Sequence, residues 1–153
     1  MKFLELRILP VGVTLIHIGL MYIICRYTPD IELATSLRWM LACSLFLLAG
    51  LVGLAGIRAF RKANTTVNPH HPSRASSLVI RGIYHYSRNP MYLAMALALP
   101  VVSCALSNAF SLIAIPCYIL YMNRFQIIPE ERALQQQFGQ AYRDYCRTTR
   151  RWI

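Results

Sequence analysis

Four apolar stretches, Ile8 to Cys25, Trp39 to Ile57, Met91 to Leu106 and Phe110 to Ile128, alternate with polar segments along this chain. A helix needs roughly 20 apolar residues, at a rise of about 1.5 Å each, to cross a hydrocarbon core, and the four stretches reach or approach that length. The pattern predicts an all-α fold: a multi-pass transmembrane helical bundle of about four spans. A polar loop joins the second span to the third, and an amphipathic helix follows the fourth. Beyond Pro129, at about 100° per residue, Leu134, Phe138, Ala141 and Tyr145 share one face, as on a helix lying along a membrane surface or against the bundle.

Local signals refine these elements. The first two spans, within residues 1–60, are expected to pair as a helical hairpin, with Gly50, Gly53 and Gly56 giving the second span a face for close helix approach. Asn89 is a favoured N-cap and Pro90 suits the first helical position, so the third span starts there. Ser107 and Asn108 make a minimal turn into the fourth span. Pro100 and Pro116 each free a backbone carbonyl within this second hairpin. The connection from Arg61 to Asn89 is long for a compact bundle; it contains turns at Asn68-Pro69 and His71-Pro72 and an apolar piece, Leu78-Val79-Ile80, able to fold back against the helices. The whole, residues 1–153, reads as one integral-membrane domain, with residues 61–153 forming its site-bearing half.

Composition supports the membrane reading, with 56% hydrophobic and only 14% charged residues in a chain of 153. Charge placement orients it. Arg26 and Arg38 between the first two spans are offset by Asp30 and Glu32, whereas Arg58, Arg61, Lys62, Arg74, Arg81 and Arg88 crowd the next connection. The positive-inside rule makes that connection cytoplasmic, and both termini with it. The net charge of +10 is accounted for by this bias and by anionic headgroups rather than by nucleic acid, for which no recognition motif is present. The first span is expected to be a retained helix and not a cleaved signal, because its apolar run is long, Glu5 interrupts the leader and no small-residue cleavage site follows. Asn64-Thr65-Thr66 matches a glycosylation acceptor on the wrong side of the membrane. Cys25, Cys43, Cys104, Cys117 and Cys146 have no metal-ligand spacing, and His70 and His71 lack a third ligand, so no metal is expected. His17, a lone histidine in the first span, is expected to bond a neighbouring helix.

Two polar runs remain to be explained. Arg81 to Tyr92 (RGIYHYSRNPMY) precedes the third span, and Asn123 to Tyr145 (NRFQIIPEERALQQQFGQAYRDY) begins where the fourth ends. A tight hairpin between those spans brings the runs together. The helix start at Asn89, with Arg88 beside it, would attract an anion. Glu130 and Glu131 follow Asn123 and Arg124, polar residues near a span end where they need partners.

In order and spacing the runs resemble the isoprenylcysteine carboxyl methyltransferase and phospholipid methyltransferase families of small integral-membrane methyltransferases. Gly82, Tyr84, Arg88, Pro90 and Tyr92, then Glu130, Glu131, Phe138, Gly139, Tyr142 and Tyr145, carry the resemblance, which covers roughly the C-terminal half. Asn89 stands where many relatives have histidine, and Ala94 where glycine is common. The resemblance implies S-adenosyl-L-methionine as methyl donor and a lipidic or lipidated acceptor, an isoprenylcysteine-type carboxylate or a phospholipid amine. It implies cofactor contacts from Tyr84, Arg88, Asn89, Pro90, Tyr92, Glu130, Glu131 and Tyr142, and catalytic roles for Arg124, Glu130 and Glu131. The competing reading is a non-enzymatic membrane protein that kept the scaffold to bind a partner. No Gly-rich strand-to-helix turn of a soluble dinucleotide-type fold is present.

Overall fold

Each helix of the bundle begins or ends where the sequence supplies a local reason. The computed structural model describes residues 5–63 and 77–153, and everything within it is helix or connection. The expectations for Asn64-Thr65-Thr66, Asn68-Pro69, His70, His71-Pro72 and Arg74 lie outside the described residues. Helix α1, Pro10–Tyr27, opens on a proline in its first turn and buries Val13, Thr14, His17 and Met21, a stripe at spacings of three and four. Helix α2, Thr35–Lys62, buries Ala42, Ala49 and Gly56, small residues seven apart. Helix α3, Pro90–Ala105, carries Pro100 inside it. After the turn at Ser107, a single 3₁₀ turn, Phe110–Ile113, leads into helix α4, Ala114–Tyr121. A π-helical stretch, Met122–Ile127, joins α4 to helix α5, Ile128–Thr148, without a break.

Among the described residues, three helical stretches are long and apolar enough to cross a membrane: Pro10–Tyr27, Thr35–Lys62 and the continuous run Phe110–Thr148. The third span expected from the sequence is the shorter apolar helix α3, of 16 residues. Together these helices make the chain a multi-pass integral membrane protein. In the last run the apolar crossing ends near Ile128; α5 beyond it carries Glu130, Glu131, Arg132, Arg143 and Asp144 and is amphipathic.

The first two spans do not form the expected hairpin. Helix α2 packs chiefly on α3, whereas α1 packs on α3 and α4, so α3 stands between them. The small-residue face of α2 decides this: a Cβ at Gly53 would lie 3.4 Å from Ala94 Cβ, and one at Gly56 would lie 2.9 Å from Met91 Cγ. Gly53 thus makes room for the methyl group of Ala94.

At one end of the bundle, buried Asn108 ties the helical connections together. Its amide donates to Thr28 Oγ1 at 2.8 Å and to the Pro29 carbonyl at 3.1 Å, and its Oδ1 accepts from Ser111 N at 2.9 Å. The opposite end carries the polar runs. There the Leu6 amide donates to the Phe125 carbonyl at 3.0 Å, and Ser77 Oγ donates to the Ala63 carbonyl at the end of α2, which brings Leu78 and Val79 back against the bundle partly buried.

Candidate functional site

The two polar runs meet at the N-terminus of α3. Gly82, at φ 66°, turns the chain into a 3₁₀ turn, Gly82–His85, that buries Tyr84. The Tyr84 ring stands edge-on to Phe60 at 5.2 Å, and its carbonyl accepts from Tyr145 Oη at 2.6 Å. Pro90 is fully buried at the start of α3. Asn89 holds the N-cap position but does not cap: its amide side chain donates to the Arg151 carbonyl at 3.0 Å. Ser87 Oγ instead accepts from the Asn89 backbone amide at 3.1 Å.

Glu130 and Glu131, adjacent on a helix, point about 100° apart and acquire different partners. Glu130 faces α3. Tyr92 Oη donates to its Oε1 at 2.6 Å, and buried Gln126, one turn back, donates to the same oxygen. Both of these bonds fall on Oε1. Burial pushes the Glu130 carboxyl up to about 7, against the hydrogen bonds from Tyr92 and Gln126, which lower it. Glu131 faces the chain end. Arg151 grips it with two bonds, Nε to Oε1 at 3.0 Å and Nη2 to Oε2 at 2.7 Å, while Arg88 Nη2 reaches Oε1 at 2.8 Å. Burial pushes Glu131 up too, but Arg151 and Arg88 outweigh it and hold the carboxyl below its ordinary range.

Arg88 is the hub of the cluster. Its side chain is 13% exposed; Nη1 donates to the Cys146 and Thr149 carbonyls at 3.2 and 2.8 Å, and Nε is buried without a partner. The Arg88 amide donates to the Arg150 carbonyl, so residues 87–89 and 149–151 lie side by side like two short strands. Trp152 Nε1 donates to Asn123 Oδ1 at 3.1 Å and closes the arrangement against the π-helical stretch. Tyr142 and Tyr145 pack near Arg88; burial pushes both phenols, and that of Tyr84, well above the ordinary range, so they stay protonated.

Of the site residues expected from the sequence, the fold gathers Tyr84, Arg88, Asn89, Pro90, Tyr92, Glu130, Glu131 and Tyr142 at one end of the bundle. Arg124 is turned away from the glutamates: its side chain is 46% exposed and binds Glu5 at 2.9 Å, which Arg132 also holds at 2.8 Å. Gln126 and the paired grip of Arg151 were not legible in the chain. A π turn displaces later residues from α-helical spacing, so Gln126 could not be placed by periodicity. Nor did anything in the order of residues bring Arg151 back across 20 positions to Glu131. The α5 stripe also departs from expectation: Leu134, Phe138 and Tyr145 are at least partly buried, yet Ala141 is exposed. Gly139, at φ 54° and ψ −120°, kinks the helix and hands the inward face to Tyr142 and Tyr145.

The chain thus places an Arg-Asn-Pro-x-Tyr turn and a glutamate pair together at one end of a helical membrane bundle. A family model described as phospholipid methyltransferase matches residues 37–141, and the chain belongs to that family. The chain is also 38% identical over 63 residues, 41% of its length, to the whole of an uncharacterized protein of Haemophilus influenzae. No solved structure matches it.

Proposed function

We propose that this chain transfers a methyl group from S-adenosyl-L-methionine to a lipidic or lipidated acceptor that arrives from the bilayer. The observation that carries the reading is the meeting of the Arg88-to-Tyr92 turn with Glu130 and Glu131 at one end of a membrane bundle, inside the family match. The residues present fit the cofactor. Glu130 keeps an oxygen clear of the bonds from Tyr92 and Gln126, suited to an ammonium or a ribose hydroxyl, and the unpartnered Nε of Arg88 is a buried donor. The protonated faces of Tyr84 and Tyr142 suit a sulfonium or an adenine. When bound, the cofactor supplies an electrophilic methyl group on sulfur.

The protein's own task is then to orient and to exclude water, since an in-line displacement needs no covalent nucleophile. Arg88, Asn89 and Arg151 hold residues 149–152 over the site through the bonds described above. Glu130, titrating near neutral pH, is placed to take a proton from an amine acceptor. Arg124, beside Glu5 on the outer surface, is better placed to meet an acidic headgroup than the cofactor. The excess of basic residues at and after the end of α2 supports a cytoplasmic side for this end.

Calorimetry of the purified full chain in detergent with S-adenosyl-L-methionine tests the reading, together with transfer of labelled methyl to extracted membrane lipids. We expect saturable binding and label in a lipid fraction. Absence of binding at millimolar cofactor would instead support the non-enzymatic scaffold, in which Arg88, Glu131 and Arg151 serve only one another.

A further inference from the structure

A second charged cluster lies on the outer surface, where the N-terminal segment meets the π-helical stretch. Arg124 Nη1 donates to Glu5 Oε1 at 2.9 Å and Arg132 Nη2 donates to Glu5 Oε2 at 2.8 Å, so two guanidinium groups converge on the two oxygens of one carboxylate. Arg124 belongs to the π-helical stretch and Arg132 to α5, and the Phe125 ring lies 5.3 Å from the Arg124 guanidinium, a cation–π contact that holds it outward. The arginine side chains are 46% and 50% exposed, whereas that of Glu5 is 14% exposed. The carboxylate is thus covered by partners that remain open to the outside. A guanidinium carries five N–H donors, and each of these gives Glu5 one bond. The bond from Arg124, with Arg132 behind it, holds the Glu5 carboxyl below its ordinary range.

The place of this cluster says what else could meet it. The first apolar helix begins at Pro10 and the last apolar crossing ends near Ile128, so Glu5, Arg124 and Arg132 lie at the level of the lipid headgroups. Leu120, one turn before Arg124, and Leu9, between Glu5 and α1, are exposed. An apolar surface below a pair of cations is the profile of a phospholipid, with an acyl chain along the leucines and an anion against the arginines. Guanidinium groups bind phosphate oxygens as they bind carboxylate oxygens, through several N–H donors at once. The present occupant is replaceable. Ion pairs with exposed partners contribute little to stability, and Glu5 is carried by a segment in which Leu6 takes φ 56°, a left-handed conformation that is costly for a residue with a Cβ.

We propose that Arg124 and Arg132 form a binding site for the phosphate of an anionic phospholipid, and that Glu5 fills this site when the lipid is absent. The two carboxylate oxygens stand where the two non-bridging oxygens of a phosphodiester would go. Two positive charges then face one negative group, an excess that favours a lipid headgroup without an ammonium of its own. Displacing Glu5 frees the N-terminal segment from one of its ties to the π-helical stretch, the other being the bond from the Leu6 amide to the Phe125 carbonyl. The site stands on these residues and their depth in the membrane, and not on methyl transfer.

The test is calorimetry of the full chain in nonionic detergent, titrated with dihexanoylphosphatidylglycerol, with dihexanoylphosphatidylcholine and inorganic phosphate as comparison ligands. We expect saturable binding of phosphatidylglycerol, weaker binding of phosphatidylcholine and of phosphate, and loss of affinity as salt is raised. Arg124→Gln and Arg132→Gln should each weaken phosphatidylglycerol about fivefold, the worth of one exposed charge pair. Glu5→Gln should do the opposite and tighten it about fivefold, because the competing carboxylate is gone; a carboxylate that served only to hold the helices together would give no such gain. Melting of each variant is followed in parallel, and if Glu5→Gln fails to fold, the two arginine variants decide. Affinity unchanged in both arginine variants, or weakened in a folded Glu5→Gln, overturns the proposal. Equal binding of phosphatidylcholine overturns the anionic headgroup, and equal binding of inorganic phosphate overturns the lipid.

Discussion

Adjacent glutamates with opposite electrostatics are the most informative residues of this protein. Glu131 is an ionised clamp, and replacing it with glutamine leaves Arg88 buried without its counter-charge. We expect Glu131→Gln to cost on the order of 2 kcal/mol, the worth of charge-assisted bonds, read as a lowered thermal midpoint in detergent. Arg147→Ala, which breaks the exposed pair with Asp144, should change stability by less than about 0.5 kcal/mol. Equal effects would show that the clamp has no special weight. Glu130 behaves in the opposite sense with pH. Its folded pKa of about 7 lies above the ordinary 4.5, so the folded state holds a proton that the unfolded chain releases between those values. Stability therefore falls as pH rises from about 4.5 through 7 and levels off above, by at most about 3 kcal/mol at 1.36 kcal/mol per unit. The lowered pKa of Glu131 works the other way, its contribution being present above its unfolded pKa and lost as pH falls through the folded one. Melting curves between pH 5 and 8 should show the Glu130 slope, and Glu130→Gln should flatten it; an identical slope in the variant would refute the assignment.

Among the elements, α5 owes its shape to one residue. Gly139 takes φ 54° and ψ −120°, a region closed to residues with a Cβ, although a Cβ there would meet nothing within 4 Å. The penalty for Gly139→Ala is thus purely of the backbone, about 1–3 kcal/mol, and it should swing Tyr142 and Tyr145 off Arg88 and Tyr84. Gly50→Ala is the control: Gly50 is helical with open space at its Cβ, so alanine there should be neutral or stabilising by up to about 1 kcal/mol. Paired denaturation curves decide, and a neutral Gly139→Ala would mean that α5 can straighten at no cost. The π-helical stretch acts in the same way on Asn123 and Gln126, giving one to Trp152 and the other to Glu130.

For the whole molecule, the residues that close the site come from far apart in the chain. Removing residues 151–153 takes away the double grip on Glu131, the carbonyl that receives Asn89 and the indole that holds Asn123, while leaving the membrane helices whole. We expect the truncated protein to stay helical by circular dichroism, to bind S-adenosyl-L-methionine at least tenfold more weakly and to be cleaved by trypsin after Arg143 or Arg147. Undiminished affinity would show that the tail does not shape the cofactor site.

By itself the sequence determined the all-helical membrane class, the turn at Ser107 and Asn108, the start of α3 at Pro90 and the meeting of the two polar runs. Those features follow from local rules of hydropathy, proline at the first helical position and loop length, which act over a few residues. Tertiary structure alone decided that α3 separates α1 from α2, since the choice of partner depends on which small face fits which methyl group: Gly53 against Ala94, Gly56 against Met91. It also decided that Asn89 ties the chain end instead of capping its helix, that Arg124 turns to Glu5 and that Arg151 turns to Glu131. A charged or amide side chain has many acceptable partners of similar energy, and only the packed backbone selects among them.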